Sequence, residues 1–480
     1  MLGKAFQLLV GLVLIAGCAA CFVAACASGS KAGSRSPSAG RIIAFVHVAV
    51  VPMDEERVLP DHTLVVDDGA IVAVGPASDV KVPEEALLVD ATGRYLLPAL
   101  CDMHVHLLGE SWNGMLPPEE QPTREQIPFE SFLLPYVATG VTTVQVLAAT
   151  PEDLYVRERI ERGDLLGPRL ILCRLVDGPD KAWPPPLSVW VATAAEAREA
   201  VRRAKEEGYD KIKVYSFLSQ ESYDAIVSEA AELGMEVMGH VPMALSVEYV
   251  LERGQKAIAH SEELAKHAGK YDAARVEYFA ELMATSGAWL IPTLVTTRSF
   301  LDLFDDPDGV YARPGAEHFR HPMQRGVWSF MVEKLYLPIP ADARADLRDA
   351  FYSFQRPLTK AVHDKGGKLL AGSDALMPGL VPGFALHGEL KELVDVGLTP
   401  YEALRTSTTN PFEYLGESDK AGTIEVGKRS DLLLLDGNPL EDVSATSKIA
   451  GVLIRGRWMP AEEIHEKMLA TEATLEAAPH

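Results

Sequence analysis

The strongest constraint on this chain is an alternation repeated between residues 97 and 374. Eight short apolar runs occur there, at 97–107, 141–146, 169–173, 211–215, 235–240, 257–260, 289–293 and 368–374. Each is the length of a buried strand, and stretches with helical spacing of apolar residues, such as 194–207, 219–233 and 273–286, separate several of them. Strand and helix in alternation predict parallel strands joined by helical crossovers. Eight such units predict a (β/α)8 TIM barrel over residues 98–419. The segment 297–356 is long for one crossover, so it is read as helices with an insertion near the barrel mouth, a lid that includes the turn Asp305-Asp306-Pro307-Asp308-Gly309.

The flanks follow a different pattern. Residues 41–97 carry short β-runs (42–51, 63–66, 71–74, 87–89) broken by turn residues, with no room for a helix of normal length. Further β-runs at 432–435 and 449–454 follow the barrel. The two ends are expected to pair into one small β-sandwich domain, 41–97 with 420–460, followed by a C-terminal helix or tail at 461–480.

At the other terminus, Lys4 precedes an apolar run, and a Ser/Gly-rich stretch follows it. Residues 1–26 read as an export leader and 27–40 as a flexible tether. Ile15-Ala16-Gly17-Cys18 and Val23-Ala24-Ala25-Cys26 both resemble the lipobox of bacterial lipoproteins, in which the cysteine is acylated. Either would make an exported, periplasmic or cell-surface protein anchored to the membrane; an uncleaved signal anchor is the other reading. Cys101 and Cys173, outside the leader, fall in buried runs and are expected as packed free thiols. With 45 Lys and Arg against 68 Asp and Glu, the net charge of −23 excludes nucleic acid as a partner.

In a parallel barrel the strand C-termini and the loops after them form one rim, where functional groups collect. The polar residues placed there are His104 and His106, Lys213, His240, His260 and Asp374. His104 and His106, at i and i+2 on a strand, face the same way and can share one ion. Imidazole and carboxylate suit Zn2+ and similar divalent ions, and this many ligands exceed what one tetrahedral ion uses, so two ions are expected. An ammonium at Lys213 would repel them; it must be neutral or carboxylated by CO2 to an anionic, bridging carbamate. Tyr215 and His387 lie just after ligand-bearing segments and are candidates to face substrate, although a packed Tyr and a helix-capping His explain them equally well. His267, His318, His321 and His363 have no strand-end placement and read as surface or lid residues.

The motifs His104-Val105-His106, Ile212-Lys213, Gly239-His240, Ala259-His260 and Gly372-Ser373-Asp374 resemble the amidohydrolase superfamily, in its imidazolonepropionase-like and prolidase-like branch of metal-dependent hydrolases. The resemblance spans roughly 41–460 and includes Gly140-Val141-Thr142-Thr143, Gly167-Pro168-Arg169, His387-Gly388-Glu389-Leu390, Asn410-Pro411 and Gly422-Thr423-Ile424-Glu425-Val426-Gly427. One departure is Ala99, where glycine is usual. The resemblance implies that His104, His106 and Asp374 hold one ion, His240 and His260 the other, and carboxylated Lys213 bridges them. The expected chemistry is attack by a metal-bridged hydroxide on an amide or other C–N bond, with Asp374 as proton shuttle. The expected partner is a small molecule, a dipeptide or N-acyl amino acid, with a cyclic amide of the imidazolonepropionate kind as the alternative; a homo-oligomer is compatible with this reading. A reading of another class, a non-catalytic exported binding lipoprotein on the same barrel, requires loss of ligands, and none is lost.

Overall fold

The computed structural model describes residues 42–179, 183–318 and 321–476, so the leader and tether lie outside the described residues. In chain order the strands are β1 (Ile43–Val50), β2 (Leu59–Asp67), β3 (Ala70–Pro76), β4 (Leu87–Asp90) and β5 (Tyr95–Pro98), then β6 (Leu100–Val105), β7 (Val141–Val146), β8 (Arg169–Asp177), β9 (Val189–Trp190), β10 (Lys211–Val214), β11 (Glu236–Gly239), β12 (Ala257–Ala259), β13 (Trp289–Ile291) and β14 (Lys368–Leu369), and finally β15 (Leu432–Leu435), β16 (Ile449–Ile454) and β17 (Arg457–Pro460).

The expected barrel is present. Its strands run in the order β14-β13-β12-β11-β10-β8-β7-β6, all parallel, with the two-residue β9 beside the end of β8. The ring closes between first and last: Met103 N donates to Ala371 O at 2.9 Å, Asp374 N to His104 O at 2.7 Å and His106 N to Ala375 O at 2.8 Å. The strands are buried on both faces, as their apolar composition requires in a sheet covered by helices. Inside, Cys101, Met103, Cys173, Met238 and Trp289 pack with Phe412 and Tyr414. The two cysteines are free and buried, and burial pushes the Cys101 thiol up to about 12, far from any nucleophilic thiolate.

Local signals set the helices. Helix Ala194–Glu207 begins with a capping box in which Thr193 and Glu196 satisfy each other's backbone, and ends at Gly208 in the left-handed region (φ 94°). The long segment after β13 folds as helices Leu294–Asp305, Pro322–Phe330, Ala341–Ala350 and Arg356–Asp364, with π-helical turns at Met331–Tyr336 and Phe351–Gln355.

Both chain ends build the small domain, in the strand order β17-β16-β15-β5-β1-β2-β3 with β4 paired to β1, so hydrogen bonds join all eight strands. The stitch between the ends is β5 against β15, antiparallel from Leu432↔Pro98 to Leu435↔Tyr95. Phe45, Leu64, Leu96 and Leu434 are fully buried in its own core. Ala99, at the junction, keeps a negative φ and donates its N–H to Asp431 O, so its methyl group costs no strain. Among the described residues no helix is long and apolar enough to cross a membrane.

Candidate metal centre

Each candidate ligand sits at or just past a strand end. His104 is inside β6 and His106 just beyond it; Lys213 is in β10; His240 and His260 immediately follow β11 and β12. Asp374 lies in the loop after β14, where the backbone is left-handed (φ 54°). His260 (φ 72°) and Thr293 (φ 49°) also have positive φ, unusual for residues with a Cβ. Three strained residues on one rim are held there by the closed barrel around them.

The side chains converge. His104 Nε2 lies 3.2 Å, and His106 Nε2 3.1 Å, from the same oxygen, Asp374 Oδ1. The imidazole centroid of His260 is 4.5 Å from that of His104 and 5.1 Å from that of His240. Ligand atoms of His104, His260 and Asp374 fall within 4.8 Å of one another. Lys213, 2% exposed, is enclosed by the same cluster.

Burial pushes the imidazoles down: His104 to about 3, His240 to about 4, His260 well below the ordinary 6.5, and His106 in the same direction. They are therefore neutral, the form that binds a metal. Burial also brings Lys213 down to about 8, toward the uncharged amine that reacts with CO2. For Asp374 burial acts upward, but the surrounding imidazoles outweigh it and hold the carboxyl well below its usual range, as an anion.

These residues fit a divalent ion. His104 Nδ1 and Nε2, His106 Nδ1 and His240 Nε2 are buried without a hydrogen-bond partner, which is costly unless something else satisfies them. Donor atoms 3.1–3.2 Å apart also match the roughly 3.3 Å that bonds of about 2.0 Å to one tetrahedral ion impose.

A supporting layer fixes the ligands. His240 Nδ1 is 3.0 Å from Glu263 Oε1 and 3.2 Å from Ser216 Oγ, and His260 Nδ1 is 2.7 Å from Thr293 Oγ1, so each ring is oriented through one nitrogen and keeps the other for the site. Asp102 takes Ser373 Oγ–H at 2.5 Å and Ser373 N–H at 2.9 Å, tying β6 to the loop that carries Asp374. Sequence reading missed these three. Asp102 and Thr293 carried a signal, Asp102 because it alternates in step with His104 and His106, Thr293 because it ends the apolar run 289–293; Glu263 carried none.

The ligands open into a cavity of about 140 Å³ at the barrel mouth. Tyr215 lines it, its ring tilted by 34° against His240 with centroids 3.9 Å apart and its hydroxyl accepting from Trp183 Nε1 at 3.2 Å. Phe300, Leu335 and Tyr336 reach it from the long segment after β13. His387 does not reach it. That ring lies in helix Phe384–Asp395, bonded to Thr446 Oγ1 at 2.9 Å and Thr139 O at 3.2 Å, and borders a separate cleft. Packing of its helix against the small domain, which no sequence signal fixes, takes it away from that cavity. His321 caps helix Pro322–Phe330, His318 pairs with Glu472, and His363 lies 3.1 Å from Glu402.

Residues 95–459 match the model of the Amidohydrolase family. The chain is 24% identical over 405 residues to an imidazolonepropionase of Aeromonas hydrophila, covering 80% of this chain and 87% of that protein. It is 24% identical over 408 residues to an adenine deaminase of a Ruegeria species, covering 83% of this chain but only 55% of that longer relative. Among solved structures, a Bifidobacterium longum chain assigned as a prolidase superposes with a TM-score of 0.67 at 25% identity, over 92% of this chain and 100% of the other.

Proposed function

The chain belongs to the amidohydrolase family, and we propose that it hydrolyses an amide or related C–N bond of a small substrate, with dipeptides and N-acyl amino acids favoured. The observation that carries this reading is the meeting of unsatisfied, neutral imidazole nitrogens with the Asp374 carboxylate at the floor of a closed-barrel cavity. His104, His106 and Asp374 would hold one divalent ion, Zn2+ being the expected metal, and His240 and His260 a second, with carboxylated Lys213 between them. The ions would supply water activation near neutral pH and polarisation of the carbonyl.

The chain's own residues do the rest. Asp374, ionised and on the rim, takes the proton of the attacking water and returns it to the leaving nitrogen. Glu263 holds His240 in its ligating tautomer, and Thr293 orients the ring of His260. Trp112, Trp183 and Tyr336 shield the reacting carbonyl from bulk water. The structural likeness to a prolidase-assigned chain supports the dipeptide choice; the likeness to an imidazolonepropionase supports cyclic amides as the second class to assay. Export through the leader, with a lipid anchor at Cys18 or Cys26, would place the enzyme at the membrane, and mass spectrometry of the mature N-terminus tests it.

The deciding experiment is a screen of dipeptides, N-acyl amino acids, lactones and cyclic amides against metal-loaded protein, beside elemental analysis. Hydrolysis of a dipeptide or N-acyl amino acid that a chelator abolishes and Zn2+ restores is expected, with about two ions per chain. Protein purified without chelators that holds no metal and turns over nothing overturns the reading in favour of a binding protein.

A further inference from the structure

Besides its candidate ligands, the cavity is lined by two charged side chains, Glu262 and Lys266, and by the rings of Trp112, Trp183, Tyr215, Phe300 and Tyr336. Glu262, Glu263 and Lys266 come from the helix that follows His260, Ser261–Ala268. Lys266 Nζ lies 3.0 Å from Glu262 Oε1 and 2.5 Å from Glu263 Oε1. Glu263, 1% exposed, is turned away to His240; Glu262, 19% exposed, is the member that lines the cavity.

The charges decide what this wall can receive. Two carboxylates, Glu262 and Glu263, against the one ammonium of Lys266 leave this helix-borne cluster with one net negative charge. Lys266 is held between both carboxylates, so a substrate carboxylate approaching it would also meet Glu262. A cation meets attraction from Glu262, and the surrounding rings add to it, because the negative face of an aromatic ring attracts a desolvated cation. A carboxylate in a narrow, ring-lined cavity is the usual construction for binding an ammonium group.

We propose that Glu262 determines specificity by receiving a cationic amine of the substrate, so that preferred substrates carry a free ammonium group, as a dipeptide with an unblocked amino terminus does. The proposal rests on the cavity being the substrate site of the hydrolase described above, and it narrows that reading by disfavouring N-acylated substrates.

The test is binding, which needs no turnover. Benzylammonium and benzyl alcohol are matched in shape and differ in charge; their affinities for full-length, metal-loaded protein are measured by calorimetry at pH 6.5. Wild-type protein is expected to bind benzylammonium about tenfold more tightly or better. Glu262→Gln should reduce the preference to less than about twofold, while Glu262→Asp, which keeps the charge, restores part of it and guards against a folding defect in the Gln variant. Equal affinity of wild-type protein for the two probes, or an unchanged preference in Glu262→Gln, overturns the proposal. A protein that hydrolyses dipeptides without this preference refutes Glu262 alone, whereas one that shows the preference yet hydrolyses nothing refutes the enzymatic reading alone.

Discussion

His104 at the barrel rim and His387 on a distant helix are both buried and both pushed down by burial, to about 3 and about 4. By those measures they are alike. They differ in what their nitrogens touch. Both nitrogens of His104 lack a hydrogen-bond partner, whereas those of His387 are taken by Thr446 Oγ1 and Thr139 O. Burial and a depressed pKa describe any histidine in a core; unsatisfied nitrogens clustered on a carboxylate mark a ligand.

The largest effect expected is at Asp374. Asp374→Asn should lower kcat at least about 10³-fold with the circular dichroism spectrum unchanged; a normal rate would remove Asp374 from the mechanism. Next, His106→Ala should lose the ion shared with His104 and Asp374, which elemental analysis reads as about one equivalent per chain, and full occupancy would contradict the assignment. Smaller again, Glu263→Gln should weaken metal binding by about 10–100-fold in chelator competition, because it loosens His240 without removing a ligand.

On the other side of the comparison, His387→Gln should leave metal content and kcat/KM within about twofold while lowering unfolding free energy by about 1–3 kcal/mol. A loss of metal in this variant would break the distinction between the two histidines. A further effect is in acid. His387 stays neutral in the fold down to about 4, while in the unfolded chain it takes a proton below the ordinary 6.5. Its contribution is therefore present above pH 6.5 and is lost as pH falls toward 4, by up to about 1.4 kcal/mol per unit. Urea titrations of wild type and His387→Gln across that window should show the shallower pH slope in the variant.

What could be read beforehand follows a physical line. Strand-end residues were legible because a buried parallel strand writes its length and direction into an apolar run, so His104, His106, Lys213, His240, His260 and Asp374 could be placed on one rim. Asp102 was legible in principle, sharing their alternation, but only closure of the barrel against Ser373 reveals its work. Thr293 was legible in the same way, as the polar residue that ends the run 289–293, whereas Glu263 acts from a helix start whose geometry exists only once the fold does. The two readings of His387 could not be separated for the same reason: Thr139 and Thr446, which hold it, are far from it in sequence.

The hydrogen bonds that close the ring from Asp374 N to His104 O also impose an order of events. The first ligands to leave the ribosome wait for a partner made some 270 residues later, counting from the first strand to the last. No early fragment can hold the full candidate ligand set, so metal capture would report on a finished chain. On the proposed metal reading, the ion would be chosen by the metal pool of whichever compartment the barrel closes in.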